Sequence, residues 1–305
     1  MDQRYLSLRR LLQPLYGQAE AAAMACWVMD EAFGISRTDI YADKGRKFSA
    51  EEELRYSNMC QRLAAGMPPQ QAVGTTHFCH LQLHLTPDVL IPRPETEQLV
   101  DLAVEAAMAL AAGSTRPLHL LDAGTGSGCI ACALKHRLPA TRVTAWDISP
   151  AALDVARNNA RRLGLDIDFE QRDILREAAL ATARHGQPRG VASGIAHSDS
   201  RPYDVVVSNP PYVCHSEQAA MEVMVLDHEP HLALFVPDND PLLFYRALAR
   251  LATAGLLRSG GTMAVEINSA YAEATAHCME REGLTDTRIL PDTFGRPRYV
   301  MARRP

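Results

Sequence analysis

The most chemically specific residues in this chain are Asn209-Pro210-Pro211-Tyr212, directly after Asp204–Ser208, an apolar run that reads as a buried strand. Two consecutive prolines end the ladder of backbone donors and stiffen the chain. That stiffness can aim the Asn209 side chain and the Pro210 carbonyl outward. A side-chain amide oxygen and a backbone carbonyl are two acceptors, and a planar NH₂ group carries two donors. Tyr212 adds a flat face on which a planar group can stack. The set suits a planar nitrogen nucleophile held facing a methyl group. A plain Pro-rich turn would need neither Asn nor Tyr at its ends.

A second motif, Gly124-Thr125-Gly126-Ser127-Gly128, follows the short apolar run Leu118–Leu121 and opens a helical stretch. Glycine allows positive φ and close approach of backbone to a ligand. The dinucleotide fingerprint places its third glycine three residues after the second, but here that position is Cys129. A phosphate-binding P-loop would need Gly-Lys-Ser/Thr, which is also absent. The spacing resembles the S-adenosylmethionine loop of doubly wound methyltransferases. Asp147 lies 19 positions beyond Gly128, at the end of the next expected strand. A carboxylate about 20 residues past such a loop can accept from ribose hydroxyls. The alternative for Asp147, helix capping, is better met by Ser149 ahead of Pro150. In this fold class the chain passes the adenine near Gln171-Arg172-Asp173-Ile174. There Asp173 can accept from the exocyclic amino group and Ile174 can cover the ring, although a plain solvated loop carboxylate remains open for Asp173.

Elements that would position these residues are legible from periodicity. Leu8, Leu11, Leu12 and Leu15 recur at helical spacing, and a second run, Ala19–Phe33, ends at Gly34. Ser49 with Glu52 is a capping-box pattern opening a third helix that stops at Gly66. Residues 76–92 read as a hairpin turning at Pro87-Asp88, with His80 and His84 on an exposed strand face. From residue 98, helices alternate with strands at 118–121, 143–146, 167–170, 204–208 and 262–267, and two last strands lie near 286–290 and 298–302. A helix is expected over Pro241–Leu257. Such alternation implies an α/β fold, a doubly wound and mostly parallel sheet with helices on both faces. Thr182–Arg201 lacks periodicity and reads as a surface loop.

Composition narrows the class further. The 305 residues are 47% hydrophobic and 22% charged, which is globular rather than disordered. The net charge of −5 lacks the basic excess of proteins that grip many phosphates, so stable nucleic-acid binding is not expected. No run reaches the ~20 apolar residues of a membrane span, and no secretory leader pattern opens the chain, so a cytoplasmic protein without membrane association is expected. Seven cysteines, an odd number, argue against a disulfide framework. Cys129 and Cys132 lack a second ligand pair, and the three histidines at 77, 80 and 84 lack a completing group, so no metal is expected.

Asn-Pro-Pro-Tyr with the glycine loop resembles the amino-methyltransferases that act on exocyclic or amide nitrogen. Val89-Leu90-Ile91-Pro92-Arg93-Pro94-Glu95-Thr96-Glu97 resembles, more narrowly, the release factor glutamine methyltransferases (HemK/PrmC type). That run also serves as a Pro-flanked linker whose Glu95 and Glu97 favour a helix start. The resemblance spans about residue 50 to the C-terminus and implies a Rossmann-like methyltransferase domain over 98–305. Ahead of it would lie a helical substrate-recognition domain over 1–75 and a β-hairpin linker over 76–97. It implies S-adenosyl-L-methionine as cofactor, S-adenosyl-L-homocysteine as product, and methylation of the glutamine of the Gly-Gly-Gln motif in class 1 peptide chain release factors. It further implies catalysis by Asn209, Pro210 and Tyr212. Cofactor binding falls to Gly124–Gly128, Asp147, Asp173, Ile174 and Asn209, and substrate binding to Asn209–Tyr212 with Glu95 and Thr96. A ribosomal-protein glutamine methyltransferase, a DNA adenine N(6) methyltransferase and a non-catalytic nucleoside-binding module are the alternatives. Gln71, Ile174, Val236-Pro237 and Asn268 depart from residues common in the family.

Overall fold

The structure is a computed structural model that describes residues 1–42, 46–185 and 201–305. In chain order its elements begin with α1 (Gln3–Phe33), α2 (Arg37–Ala42), α3 (Ala50–Ala64) and α4 (Pro69–Val73). The hairpin β1 (Thr75–Phe78) and β2 (Leu81–His84) follows, then α5 (Pro94–Ala111), β3 (His119–Ala123), α6 (Cys129–Arg137) and β4 (Arg142–Asp147). Next come α7 (Pro150–Leu163), β5 (Asp168–Gln171), α8 (Ile174–His185), β6 (Tyr203–Ser208) and β7 (Val213–Cys214). The chain continues through α9 (Val223–His228), α10 (His231–Leu234), β8 (Phe235–Val236), α11 (Leu243–Leu251) and β9 (Leu257–Glu266). It closes with α12 (Ala272–Arg281), β10 (Thr285–Pro291) and β11 (Pro297–Arg303).

Two compact units emerge. The first comprises Met1–Thr76, Leu85–Pro87 and Glu222–Glu229. Its helix α1 starts at Asp2, whose Oδ1 accepts from the Arg4 and Tyr5 amides at 2.8 and 3.1 Å. The two helices expected over this stretch are both present within α1 and meet at Gly17 (φ 74°, ψ 178°), a non-helical break that glycine adopts without Cβ strain. The capping box of α3 is present: Ser49 Oγ accepts from the Glu52 amide at 3.2 Å, and Glu52 Oε2 accepts from the Ser49 amide at 2.8 Å. Leu8, Leu12, Val28, Met29 and Leu63 form the buried core of this unit. The distant segment α9 joins it: Gln71 donates to the His228 carbonyl at 3.1 Å, so this family departure is a buried side chain holding α9.

The hairpin turns at Cys79-His80 rather than at Pro87-Asp88. Both residues take positive φ, 47° and 64°, which closes a tight two-residue connection matched to strand twist. His80 therefore sits in the turn, and residues 89–91 are not a strand. Of the expected 182–201 loop, residues 186–200 lie outside the described residues, and Thr182–His185 complete α8. Of the helix expected over 241–257, Leu243–Leu251 is α-helical and Ala252–Leu256 follows as a π-helical turn. Through Gly255 (φ 119°) this wide turn leads into a longer β9.

The second unit comprises His77–His84, Asp88–Met221 and Pro230–Pro305. Its seven-stranded sheet has the order β10-β11-β9-β6-β3-β4-β5. The five strands from β9 to β5 pair in parallel, and β11 is antiparallel to both β9 and β10. Side-chain alternation sends Leu120, Val205 and Val207 into the core on one face and Leu121 and Val206 into the core on the other. Every residue of β3 and β6 is buried, as expected for parallel strands covered on both faces. Strand order reverses between β3 and β6, so the loops leaving their carboxyl ends open the crevice where ligands bind in such sheets.

Candidate active site

Chain reversal at this crevice brings together two motifs that are 81 residues or more apart in sequence. The glycine loop leaves β3 and Asn209 leaves β6, and Ser208 Oγ donates to the Ala123 carbonyl at 2.6 Å. Gly124, Gly126 and Gly128 all have positive φ (81°, 53° and 81°). The amides of Gly124 and Thr125 both donate to the Trp146 carbonyl, at 2.9 and 2.8 Å, tying the loop to β4. A Cβ on Gly124 or Gly126 would meet no atom within 4 Å, whereas one on Gly128 would lie 3.0 Å from Ala156 Cβ. The first two glycines thus face open space, and the third lets α7 approach.

Asp122, beneath the loop, is fully buried. Its Oδ2 accepts from Thr125 Oγ1 at 2.6 Å and from the Ala131 amide at 3.0 Å, while Oδ1 has no hydrogen-bond partner. Burial raises this carboxyl to about 7. Asp147 ends β4 with Oδ2 accepting from the Gly126 amide and Oδ1 from the Ser149 amide, each at 2.9 Å. Desolvation pushes its carboxyl upward, against the pull of those amides. Capping of α7 falls to Ser149, whose Oγ accepts from the Ala152 amide at 3.2 Å. Asp173 Oδ1 accepts from the Leu175 and Arg176 amides at 2.9 and 3.3 Å and so caps α8, a helix the sequence reading did not anticipate.

These residues line one cavity. Thr96, Gly124–Ser127, Asp147, Asp173, Ile174, Asn209 and Pro211 are on its wall. Ile148, Leu175 and Phe244 add apolar surface. Gly128, Glu95, Pro210 and Tyr212 do not line it. Glu95 lies in the first turn of α5, where its carbonyl accepts from Tyr299 OH at 2.7 Å. Tyr212 is instead tied by its hydroxyl to Glu266 Oε1 at 3.1 Å.

Glu266, which the motif reading passed over, is the hub behind Asn209. Its side chain is buried at the carboxyl end of β9. Oε2 accepts from Thr96 Oγ1 at 2.7 Å, and Thr96 Oγ1 accepts from Asn209 Nδ2 at 3.1 Å. Tyr245 OH donates to the Glu266 carbonyl at 3.2 Å. Its one sequence signal is a lone carboxylate ending an apolar strand. Asn268, a family departure, adds a further tie: its Nδ2 donates to the Tyr212 carbonyl at 3.3 Å.

Among the described residues no three His, Cys, Asp or Glu side chains converge as a metal shell. Burial lifts the Cys132 thiol to about 12. No helix among the described residues is long and apolar enough to cross a membrane.

A doubly wound sheet with a glycine loop at its switch point, a strand-end carboxylate and Asn-Pro-Pro-Tyr on the neighbouring strand defines an S-adenosylmethionine-dependent methyltransferase. A methyltransferase domain model matches residues 120–186, and a PrmC N-terminal domain model matches residues 8–74. The release factor glutamine methyltransferase of Bacteroides thetaiotaomicron is 39% identical over 297 residues, covering 97% of this chain and 98% of its own. Those of Cereibacter sphaeroides and Streptococcus pneumoniae are 37% and 35% identical, each over 95% of this chain and over 93% and 94% of their own. The chain belongs to the release factor glutamine methyltransferase family. Among solved structures, the hMettl16 catalytic domain in complex with MAT2A 3′UTR hairpin 6 shares the fold, with a TM-score of 0.52 at 14% identity over 84% of this chain and 82% of that one.

Proposed function

We propose that this protein transfers a methyl group from S-adenosylmethionine to the side-chain amide nitrogen of the glutamine in the Gly-Gly-Gln motif of class 1 peptide chain release factors. The observation that carries this reading is the placement of Asn209 on the wall of the same cavity as Gly124 and Gly126. The open space over those two glycines is the room a cofactor bound against bare backbone requires. When bound, the cofactor supplies an electrophilic sulfonium methyl and departs as S-adenosylhomocysteine.

The protein's own residues then have distinct tasks. Asp147, held by two backbone amides at the end of β4, accepts from the ribose hydroxyls. Ile174 covers one face of the adenine, and Asp173 accepts from its amino group through the oxygen not engaged in capping. An amide nitrogen is a poor nucleophile because its lone pair is delocalised, and its protons become more acidic as it gains a fourth bond. Asn209 Oδ1, on the cavity wall, accepts a hydrogen bond from one of those protons, stabilising charge that develops only in the transition state. The prolines limit backbone freedom at this point, which favours an approach at about 3–3.5 Å. Tyr212 acts by fixing the loop through Glu266. The leader unit recognises the protein substrate, since it carries no catalytic motif yet forms its own core. A substrate of the translation apparatus places the protein in the cytoplasm.

The test is direct. The purified protein is incubated with methyl-labelled S-adenosylmethionine and a full-length class 1 release factor, and the modified residue is mapped by peptide mass spectrometry. Label on the Gly-Gly-Gln glutamine is expected. Label confined to other residues, or none, overturns the reading.

A further inference from the structure

An asparagine can present either end of its amide to a substrate, and only one end serves a nucleophile that brings two N–H donors. The carbonyl oxygen of Asn209 must face the cavity and its NH₂ must face away. The two ends have nearly the same size and shape, so what decides is the hydrogen-bond network around them.

That network reads outward from Glu266. An ionised carboxylate only accepts. Both of its oxygens are engaged by hydroxyls, Tyr212 OH at 3.1 Å and Thr96 Oγ1 at 2.7 Å. Thr96 has a single proton and spends it on Glu266. Its oxygen can then only accept, and its partner is Asn209 Nδ2 at 3.1 Å. With the NH₂ end committed to Thr96, Oδ1 is the end left for the substrate. Thr96 and Glu266 are both buried, so water does not supply a substitute donor or acceptor. Burial raises the Glu266 carboxyl above its ordinary value, with Glu95 adding to the rise and the two hydroxyl donors and Arg298 opposing it in part. The three elements involved are α5, β6 and β9, so the polarity is set by the tertiary fold and not by the Asn-Pro-Pro-Tyr segment.

We propose that Glu266, acting through Thr96, is a positioning residue that fixes the orientation of the Asn209 amide, so that the nucleophilic nitrogen always meets an oxygen acceptor. This rests on the glutamine-methylation reading above. Thr96→Val keeps the shape of the side chain but removes the relay. Glu266→Gln replaces one acceptor oxygen by a donor, which permits the chain to reverse: the new NH₂ donates to Thr96, Thr96 donates to Asn209, and Asn209 turns its NH₂ to the substrate.

The experiment is a double-mutant cycle in single-turnover kinetics with full-length release factor, alongside calorimetric cofactor binding. Thr96→Val and Glu266→Gln are each expected to lower the methyl-transfer rate on the order of 10²-fold, the scale of a misplaced reacting group, with cofactor affinity kept within about twofold. Thr96→Ser, which keeps the hydroxyl, is expected to recover most of the rate lost in Thr96→Val. In an Asn209→Ala background, Thr96→Val is expected to cost nothing further, because the residue it acts through is gone. A merely structural role would lower the rate in both backgrounds, and that result overturns the proposal, as does a Thr96→Val enzyme with an unchanged rate. Should Glu266→Gln fail to fold, the Thr96 cycle decides alone. Wild-type enzyme that methylates the glutamine while the cycle is additive refutes only the relay. Wild-type enzyme that leaves the glutamine unmodified refutes the parent reading and the relay with it.

Discussion

Ser208 Oγ donates to the Ala123 carbonyl at 2.6 Å although 85 residues separate the two in sequence. Both are the last residues of neighbouring parallel strands, and both are buried. The bond joins the point where the glycine loop departs to the point where Asn-Pro-Pro-Tyr departs. Under the proposed function, a cofactor lying along the first loop would be brought beside the acceptor on the second, with little freedom for the two to drift apart.

Asn209 carries the largest expected effect on turnover. Asn209→Ala removes one preorganised acceptor and leaves the glycine loop and Asp147 untouched. A loss of about 10²–10³ in the single-turnover rate is expected, with a smaller loss of cofactor affinity than in Asp147→Ala. A near-normal rate at saturating cofactor would remove Asn209 from the reaction.

Asp147 has the complementary signature. Asp147→Ala deletes the ribose acceptor and also frees the Gly126 and Ser149 amides it holds. Cofactor affinity measured by calorimetry is expected to weaken by about 1.5–3 kcal/mol, the range for a hydrogen bond to a charged group. The rate at saturating cofactor is expected to suffer less than in Asn209→Ala.

The glycines divide by what lies in front of them. Gly128→Ala combines positive φ with a Cβ 3.0 Å from Ala156 Cβ and 3.1 Å from Ala156 Cα, so α7 must shift. A stability loss of at least about 1–2 kcal/mol, the left-handed cost alone, is expected in chemical denaturation. Gly124→Ala carries the same backbone strain without the collision, but its methyl enters the open space of the cavity. Its expected signature is weaker cofactor binding, seen in the same calorimetric assay.

Asp122 makes stability depend on pH. Its carboxyl is raised to about 7 by burial, against an unfolded value near 4. A group whose folded pKa is raised contributes stability that is fully present below the unfolded pKa and lost as pH rises through the folded one. Asp122→Asn, which cannot ionise, is therefore expected to gain stability relative to the parent between pH 5 and pH 8. Denaturation curves at those two values check the sign. A stability difference between the two proteins that does not change with pH would show that Asp122 is not the titrating group.

Much of this molecule was legible in residue order. The alternation of apolar runs with helical periods after residue 98 named the parallel sheet, because parallel strands are buried on both faces and their residue types show it. The breaks at Asn-Pro-Pro-Tyr and at the three glycines were legible because proline and glycine act on the backbone locally, whatever surrounds them. Ser49 with Glu52 predicted its own cap for the same reason.

Other features depended on partners remote in sequence. The hairpin turns at Cys79-His80, residues without turn chemistry of their own, while Pro87-Asp88 resembles a turn and is not the hairpin's. Asp173, an ambiguous loop carboxylate in the sequence, becomes a helix cap only once α8 starts at the next residue. Residues 222–229 belong with the leader, which no local pattern announces. Glu266 is the clearest case. A single glutamate at a strand end says nothing alone, and its importance comes from Thr96 arriving from 170 residues away and Tyr212 from 54. Backbone conformation and capping follow from neighbours along the chain, but which end of the Asn209 amide faces the cavity is decided by donors and acceptors that only the folded sheet brings together.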